Sequence, residues 1–494
     1  MMNLTKEQFF SLADDHTVIA LSTELACDFI TPVGFFSALN KNYTFILESV
    51  ECSERFGRHS FIGMDPKFTI CYFKGETMVR DFDGETSVIS GNPMDVLKQV
   101  IGRYKPVNFD SIAGFCGGAV GYLSYDIVAC IEDLSLKQKD EQEVPDLYFI
   151  IPKTIVMFDH YRHTIRLTVN VFIDNKKQAE SLYHQAEESI RQIEELFYHA
   201  LDLPLLSLHE KVEKQDYSSN MTKQEFCQMV EKARDYIIRG DAIQIVGSQR
   251  FSLPFNGDSL SLYRALRMIN PSPYMFLINF PDFSLVGASP EVMVKVEKGE
   301  VIIRPIAGTR KRTGTEEGDL KMEKELLNDQ KEIAEHVMLV DLARNDIGRV
   351  CKPGSVKVDQ LMVIERYSHV IHIVSNVRGD LMDDKDAFDL IRATFPAGTV
   401  SGAPKIRAME IIEELESVKR GPYAGSVCYF DFSGNFDSCI TIRTILLKEN
   451  VAYFQAGAGL VFDSVPENEY EETKNKAGAM ARAVQLAQTL KEAP

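Results

Sequence analysis

The sequence predicts an α+β protein in which antiparallel strands form layered sheets and the helices lie apart from them. Two observations lead to this prediction. Short apolar or alternating stretches, joined by brief polar turns, recur along most of the 494 residues. Amphipathic stretches stand between these runs, and no strand leads into the glycine-rich helix start of a dinucleotide fold. A doubly wound parallel sheet is therefore not expected.

The first part of the chain is predicted to be rich in strands and to end in one long helix. The strands are expected at residues 43–50, 68–73, 147–156 and 164–171. A helix is expected at 176–200, where apolar residues recur near helical spacing at Leu182, Ala186, Ile190, Ile193 and Leu196.

A linker is predicted at residues 203–220, because this stretch contains Pro204 and has a polar end. It divides the chain into an N-terminal domain, residues 1–202, and a larger C-terminal domain, residues 221–494. Thr222 and Glu225 match the capping box that begins a helix, and Gly240 is placed to end that helix.

Strands dominate the C-terminal domain, and helices are interspersed among them. Short turns at 281–282 and 298–299 favour antiparallel pairing. The strands are predicted at 243–251, 274–280, 285–287, 292–296 and 301–305. The helices are predicted at 319–347, 386–394, 404–415 and 468–490.

The composition is that of a soluble globular protein with an acidic surface. A formal net charge of -18 disfavours nucleic acid and anionic lipid, because both bind basic surfaces. No apolar run is long enough for a membrane helix, and the start lacks the apolar stretch of a secretion signal. The nine dispersed cysteines are typical of reduced thiols. We therefore expect a cytoplasmic protein, in which an anionic substrate needs local cations, backbone N–H groups or a metal.

Two glutamates are candidates for a metal site. Glu335 lies on an apolar face of its predicted helix, where an unpaired carboxylate is costly. An ion pair with Arg344 or Lys331, or a bound cation, would neutralise it. Glu472 precedes Lys476 by one helical turn, a spacing that is common on exposed surfaces. If the two glutamates converge, they can hold Mg²⁺, which takes one or two carboxylates and shares substrate oxygens.

Three segments with glycines are candidate anion sites: 305–310 after a strand, 397–405 opening a helix and 455–459 ending a strand. Glycine lets backbone N–H groups approach an anion closely, and a helix N-terminus adds a favourable dipole. Each segment alone is compatible with ordinary turn geometry. Three of them in one half of the chain favour anion binding.

Polar residues within apolar strands are further candidates. His369 and His372 fall on opposite faces of one strand, so they cannot bind one metal together. Either is a possible general base, although a hydrogen-bonded core histidine is the commoner case. Arg443 interrupts the apolar stretch 439–444 and can grip a carboxylate in bidentate fashion, or form a core ion pair.

Together these segments resemble the chorismate-utilising, or chorismate-binding, enzyme family, from about residue 23 to residue 490. Within it they are most similar to the large, anthranilate-forming subunits that are called component I. The resemblance implies a sandwich of two large, mainly antiparallel β-sheets with helices outside and the active site in the cleft.

The same resemblance implies roles for particular residues. Mg²⁺ would be the cofactor, bound by Glu335 and Glu472. Glu291 would protonate the departing ring hydroxyl, and His372 would assist the later loss of pyruvate, with Thr399 in the same catalytic set. The implied chorismate-binding residues are Gly308, Thr309, Tyr423, Arg443, Gly457, Ala458, Gly459 and Lys476.

Two positions distinguish the branches of the family. Members that add water carry a lysine base where this chain has Gln244, and the aminodeoxychorismate-forming members carry a nucleophilic lysine where it has Ala307. The remaining reaction converts chorismate and ammonia to anthranilate and pyruvate, the first step of tryptophan biosynthesis. The alternatives are an aminodeoxyisochorismate- or aminodeoxychorismate-forming enzyme and, in a different class, a catalytically inactive tryptophan-binding regulator.

The resemblance also implies feedback inhibition and a partner. Its inhibitor segments correspond to a tryptophan site made by Leu47, Glu48, Ser49, Pro273, Tyr274 and Met275. His59 and Gly247 depart from the family's usual residues, which puts inhibitor affinity and local strand packing in question. A glutaminase needs a nucleophilic cysteine, and Cys116 is better explained as part of a packed turn. Ammonia is therefore expected from a separate glutamine amidotransferase subunit, component II, in a hetero-oligomer.

Overall fold

Two antiparallel sheets form the centre of the protein in the computed structural model, which describes residues 2–39, 41–49, 57–107, 114–199, 216–367 and 370–490. The strands of the N-terminal part are β1 Val18–Ala26, β2 Thr44–Glu48, β3 His59–Phe73, β4 Glu76–Asp81, β5 Thr86–Ile89, β6 Gly118–Leu123, β7 Leu147–Asp159 and β8 Thr164–Phe172. The later strands are β9 Ser218–Ser219, β10 Gln244–Pro254, β11 Tyr274–Asn279, β12 Phe283–Ser289, β13 Val292–Glu297, β14 Glu300–Ile303, β15 Ile306–Lys311, β16 Lys357–Arg366, β17 Val370–Asp380, β18 Gly402–Ala403, β19 Ser426–Asp431, β20 Phe436–Ile440, β21 Thr444–Lys448 and β22 Val451–Leu460.

The helices lie outside the sheets, as the resemblance implies. They are α1 Lys6–Ala13, α2 Pro32–Ser37, α3 Pro93–Gly102, α4 Ala179–His199, α5 Lys223–Ile238, α6 Ser259–Ile269, α7 Glu316–Leu326, α8 Gln330–Gly348, α9 Ala387–Thr394, α10 Lys405–Leu415 and α11 Pro466–Thr489. Within the described ranges, no helix is both long and apolar enough to cross a membrane.

Two long strands, β3 and β7, belong to both sheets. The first sheet has the order β1-β8-β7-β3-β2-β11-β12-β21-β22-β10, with β9 and β18 beside β10. The second has the order β5-β4-β3-β7-β6-β19-β20-β13-β14-β17, with β15 and β16 also on β17. The change of sheet coincides with a register shift between Pro66 and Phe68, next to Asp65 with φ 53°. Proline has no N–H to donate, so the ladder is interrupted there and the strand can bend.

The core has one layer between the sheets and further layers beneath the helices. The layer between the sheets includes Phe45, Tyr122, Phe276, Leu285, Val427 and Leu446. Helices α1, α2, α4, α6 and α11 cover the first sheet, whereas α3, α8 and α9 cover the second. The predicted α+β sandwich is therefore confirmed.

The two predicted domains share these sheets. Strand β2 from the first part of the chain pairs with β11, and β6 pairs with β19. Most of the predicted linker falls at residues 200–215, outside the described residues, and its end forms β9 against β10. The domain boundaries remain a prediction.

Local signals in the sequence identified helix ends well, with one clear error. Thr222 and Glu225 form the predicted capping box of α5, and Gly240 follows this helix with φ 85°. The single helix predicted at 319–347 is wrong, because α7 ends at Leu326 and α8 begins at Gln330. The Asp329 side chain accepts hydrogen bonds from the N–H groups of Lys331 and Glu332, and so caps a second helix where the pattern looked continuous.

Candidate active site

A cavity of about 660 Å³ opens where the ends of the two sheets face each other. Strands β10 and β22 of the first sheet, β15 and β17 of the second, and helices α8 and α11 supply its walls. Every residue assigned by resemblance to metal, substrate or catalysis lines it except Ala458, namely Glu291, Gly308, Thr309, Glu335, His372, Thr399, Tyr423, Arg443, Gly457, Gly459, Glu472 and Lys476. Segments more than a hundred residues apart in sequence thus meet around one space.

Glu335 and Glu472 reach this cavity from different helices, α8 and α11. Neither basic residue considered as a partner for Glu335 is paired with it: Arg344 binds Asp341 at 2.9 Å, and Lys331 lies 3.5 Å from Asp463. Burial raises the pKa of Glu335, and the charges of Glu332 and Glu472 add to the effect. The ion-pair explanation for Glu335 is therefore excluded among the described residues.

Two further glutamates, Glu332 and Glu469, also line the cavity and were not identified from the sequence. Burial raises the pKa of Glu469, and the charge of Glu472 raises it further. No three His, Cys, Asp or Glu side chains in the described ranges form a complete metal cage. Glu332, Glu335, Glu469 and Glu472 form a glutamate cluster in the cavity. Two of its carboxylates could hold Mg²⁺, which takes one or two carboxylates, keeps waters and accepts substrate oxygens.

Glu291 lies between β12 and β13, and its backbone carbonyl accepts a hydrogen bond of 3.0 Å from the N–H of Ile440. Burial raises the pKa of its carboxyl to about 7, although the Thr399 hydroxyl and the Lys476 ammonium act in the opposite direction. A carboxyl group with this pKa holds a proton for much of the time at neutral pH, as a general acid requires. His369, the other histidine of the predicted strand, lies outside the described residues.

A bulge in β15 positions His372. Pairing between β15 and β17 shifts register between Ala307 and Thr309, and Gly308 has φ 67°. The Gly308 carbonyl lies 2.8 Å from Nδ1 of His372, so this nitrogen carries the proton and Nε2 keeps its lone pair. Burial is the main cause that lowers the pKa of His372. A neutral imidazole at this place can accept a proton.

Arg443 does not lie in a strand, contrary to the prediction. Strand β20 ends at Ile440, β21 begins at Thr444, and Arg443 between them has the left-handed φ of 51°. Its Nη1 donates a hydrogen bond of 2.7 Å to the backbone carbonyl of Lys476. Because the backbone turns here, the guanidinium reaches the cavity instead of joining a core ion pair.

Two glycines on β22 leave room for polar side chains that pack against this wall of the cavity. A Cβ at Gly457 would lie 2.7 Å from the Tyr423 hydroxyl, and one at Gly459 would lie 2.5 Å from Nε2 of Gln244. Lys476 donates a hydrogen bond of 3.0 Å to the Gly457 carbonyl and pairs with Glu472 at 2.7 Å. Ala458, between these glycines, packs its methyl group against α5 and does not line the cavity.

A buried ion pair lies behind the cavity wall. Arg420 donates to Glu416 and, at 2.7 Å each, to the backbone carbonyls of Val246 and Val400, which flank the cavity. The Arg420 guanidinium also lies 5.7 Å from the ring of Tyr423. The sequence shows only an i,i+4 pair of opposite charges, which is usually exposed, so it gave no signal of this network.

A second cavity of about 450 Å³ lies elsewhere between the sheets. All of the residues assigned to tryptophan line it, namely Leu47, Glu48, Ser49, Pro273, Tyr274 and Met275. The Ser49 hydroxyl is buried and has no hydrogen-bond partner among the described residues. The Glu48 carboxylate accepts a hydrogen bond of 2.5 Å from Tyr263. Lys295 and Asp437 also line this cavity, and the sequence did not identify them.

Comparison with known proteins agrees with this arrangement. A family model described as chorismate binding enzyme matches residues 44–482. The chain belongs to this family. The match spans both cavities and most of both sheets.

Among relatives of this chorismate-binding enzyme, anthranilate synthase component 1 of Acetivibrio thermocellus is 46% identical over 488 residues, with 98% of each chain covered. Anthranilate synthase component 1 of Aquifex aeolicus is 44% identical over 493 residues, with 99% of each covered. The crystal structure of anthranilate synthase component I from Streptococcus pneumoniae superposes with a TM-score of 0.77 at 37% identity, covering 92% of this chain and 100% of that one.

Two side chains set the chemistry that this chorismate-binding enzyme can perform. Gln244 lines the cavity, where its side-chain amide acts to lower the pKa of Glu335, and Ala307 lines it from β15. An amide cannot take up a proton from water near neutral pH, and a methyl group cannot attack a ring carbon. Neither position therefore supplies a base or a nucleophile.

Proposed function

We propose that this protein is the large subunit of an anthranilate synthase, converting chorismate and ammonia to anthranilate and pyruvate, the first step of tryptophan biosynthesis. One observation carries the proposal: Glu291, His372 and the glutamate cluster face one cavity in which Gln244 and Ala307 replace a basic or nucleophilic side chain. Full-length relatives that are named anthranilate synthase component 1 support it.

The proposed reaction begins with binding of a dianion. Arg443 and Lys476 supply positive charge, and the glycine-rich ends of β15 and β22 let backbone groups approach the carboxylates. Glu335 and Glu472 would hold Mg²⁺, with Glu332 and Glu469 nearby. When it is bound, Mg²⁺ supplies Lewis-acid polarisation of a carboxylate and a template for the substrate.

Proton transfer falls to Glu291 and His372. Glu291 gives its proton to the departing ring hydroxyl while ammonia, which is nucleophilic without a base, forms the C–N bond. The C–O bond breaks and water leaves. Nε2 of His372, free of the hydrogen bond to Gly308, then accepts a ring proton as the ether C–O bond breaks and the ring becomes aromatic. The departing enolpyruvate takes up one proton, which His372 can return, and leaves as pyruvate.

Ammonia is scarce near neutral pH, so we propose a separate glutamine amidotransferase subunit as its source. The name component 1 among relatives supports a partner of this kind. We further propose that L-tryptophan binds in the second cavity and inhibits the enzyme. The aromatic lining of that cavity and the buried Ser49 hydroxyl support this assignment.

Anthranilate fluorescence tests the proposal directly. The protein is mixed with chorismate, an ammonium salt and MgCl₂, with and without a chelator, and pyruvate is measured in parallel. We expect equal amounts of anthranilate and pyruvate, formed only with the metal. An aminated product without pyruvate would indicate an aminodeoxyisochorismate- or aminodeoxychorismate-forming enzyme instead, and tryptophan binding without turnover would indicate a regulator.

A further inference from the structure

A small chamber lies directly behind Glu291, on the side away from the glutamate cluster. About 40 Å³ of it is open to the centre of a water molecule. Because one water needs roughly 10–15 Å³ of such a volume, the chamber has room for about three. Glu291, Thr399 and Leu339 line both this chamber and the active-site cavity, so they form the partition between the two.

One face of α8 runs along both spaces. Glu335, Leu339, Leu342 and Asp346 follow each other at helical spacing, and the first faces the active-site cavity whereas the last two line the chamber. The helix therefore extends from the glutamate cluster past Glu291 to a second acidic residue about 16 Å away.

Asp346 belongs to a buried ion pair at the far end of the chamber. Lys405 donates a hydrogen bond of 2.8 Å to its Oδ2 and another of 3.0 Å to the backbone carbonyl of Thr394. The side chains of Lys405 and Asp346 are only 12% and 10% exposed. Oδ1 of Asp346 is not used in this pair and can contact other groups. The charge of Arg349, whose side chain is 56% exposed, acts on Asp346 and lowers the pKa of its carboxyl.

Three charged side chains line the chamber, Glu291, Arg304 and Asp346, and the rest of its lining is mainly apolar. From outside the lining, Lys476 acts on Glu291, and Lys405 and Arg349 act on Asp346. Arg304 lines the chamber and is paired with Glu365. Burial raises the pKa of Asp346 and lowers that of Lys405, so the two groups are closer to exchanging a proton than they are in water. Among the described residues the buried Thr399 hydroxyl has no hydrogen bond of regular geometry, although it lies close enough to Glu291 to lower the pKa of that carboxyl, so it can bind a water.

The proposed function creates a need for such a chamber. After Glu291 has given its proton to the leaving hydroxyl, it is a carboxylate whose open side is covered by the product. We propose that water molecules in the chamber connect Glu291 with the Asp346–Lys405 pair and return a proton to Glu291 from behind. The Asp346–Lys405 pair takes a replacement proton from solvent, and the proton that ammonia loses on forming the C–N bond leaves to solvent, so protons balance over each turnover. Asp346 and Lys405 are then positioning residues, since they act through Glu291.

The proposal rests on the proposed function, and its test separates the first turnover from later ones. Ala343→Leu fills the chamber without altering a charged group, and Asp346→Asn removes one end of the relay while keeping its shape. Val337→Leu, on the exposed face of the same helix, is the matched control. Anthranilate is followed by rapid quench at about pH 6, where Glu291 starts protonated.

For Ala343→Leu and Asp346→Asn we expect a first turnover at the normal rate, followed by steady turnover about tenfold slower. The control variant should keep both rates. Equal slowing of all turnovers in both variants would show a structural role, and unchanged steady rates would show that the relay is not used; either result overturns the proposal. Should Ala343→Leu fail to fold, Asp346→Asn decides the matter.

A crystal structure of the wild-type protein at high resolution provides a readout that does not depend on turnover. We expect ordered waters between Glu291 and Asp346, and a dry chamber would overturn the proposal. If the wild-type protein formed no anthranilate, the proposed function would be wrong. The crystal structure would then still show whether the chamber holds water.

Discussion

The two large cavities between the sheets differ in the side chains that line them. The active-site cavity of about 660 Å³ brings five glutamates, Arg443 and Lys476 together, and Lys476 pairs with Glu472. The second cavity of about 450 Å³ also has charged side chains, among them Glu48, Arg58, Lys295 and Asp437, but it adds five aromatic ones: Phe61, Phe115, Tyr274, Phe276 and Tyr429. Clustered charges raise the pKa of acids and attract a cation, as chemistry on a dianion needs. An aromatic cavity can bind a flat ligand and leave it unchanged.

The largest expected effect comes from Glu335→Ala, which acts on the first cavity alone. Loss of one carboxylate ligand should lower the rate of anthranilate formation by about 1,000-fold, because a bound metal contributes several kcal/mol of charge stabilisation. Tryptophan binding, measured by calorimetry, should be unchanged. Asp341→Ala, at an exposed position of the same helix, is the control. Loss of tryptophan binding in Glu335→Ala would mean that the two cavities do not act as separate sites.

Glu291→Gln tests the protonation of the same cavity. The amide cannot donate the required proton, so kcat should fall about 100-fold. The glutamine has nearly the same shape, and chorismate binding should therefore persist in an equilibrium titration. A variant with normal kcat would remove Glu291 from the proposed mechanism.

The dependence of activity on pH gives a smaller effect with a definite sign. Burial raises the pKa of Glu291 to about 7, and the acid form is the active one. At a constant concentration of free ammonia, we therefore expect kcat/KM for chorismate to fall about tenfold for each pH unit above 7. A rate that rises steadily through this range would show that Glu291 acts as a base. Binding of tryptophan in the second cavity, which lacks Glu291, should not follow this profile.

Ser49→Ala is expected to give the smallest effect, confined to the second cavity. Loss of one hydrogen bond costs about 1 kcal/mol, so the tryptophan concentration for half inhibition should rise about fivefold at constant kcat. Ser87→Ala, exposed on β5, is the control. An altered kcat with unaltered inhibition would contradict the assignment of this cavity.

Sequence patterns predicted the fold class and most strands, because alternation and turn residues are local signals. They also placed Glu335 on an apolar helix face, where it needed neutralising. They could not show that Glu332 and Glu469 join it, since α8 packs on β15 and β17 whereas α11 packs on β22, and only the complete fold brings both helices to one cavity. The break before Asp329 and the left-handed turn at Arg443 were missed for a related reason. Both segments have apolar patterns that continue through the interruption, and tertiary contacts decide where the backbone turns.

The segment that ends β20 contacts three separate spaces within a few residues. Cys439 lines the second cavity, Ile440 the chamber, and Ile442 and Arg443 the active-site cavity. An extended chain covers about 13 Å over the four steps from Cys439 to Arg443. A sliding movement of this one segment would thus reshape both large cavities simultaneously. If a ligand in one cavity weakens binding in the other, the second ligand must weaken binding of the first by the same factor.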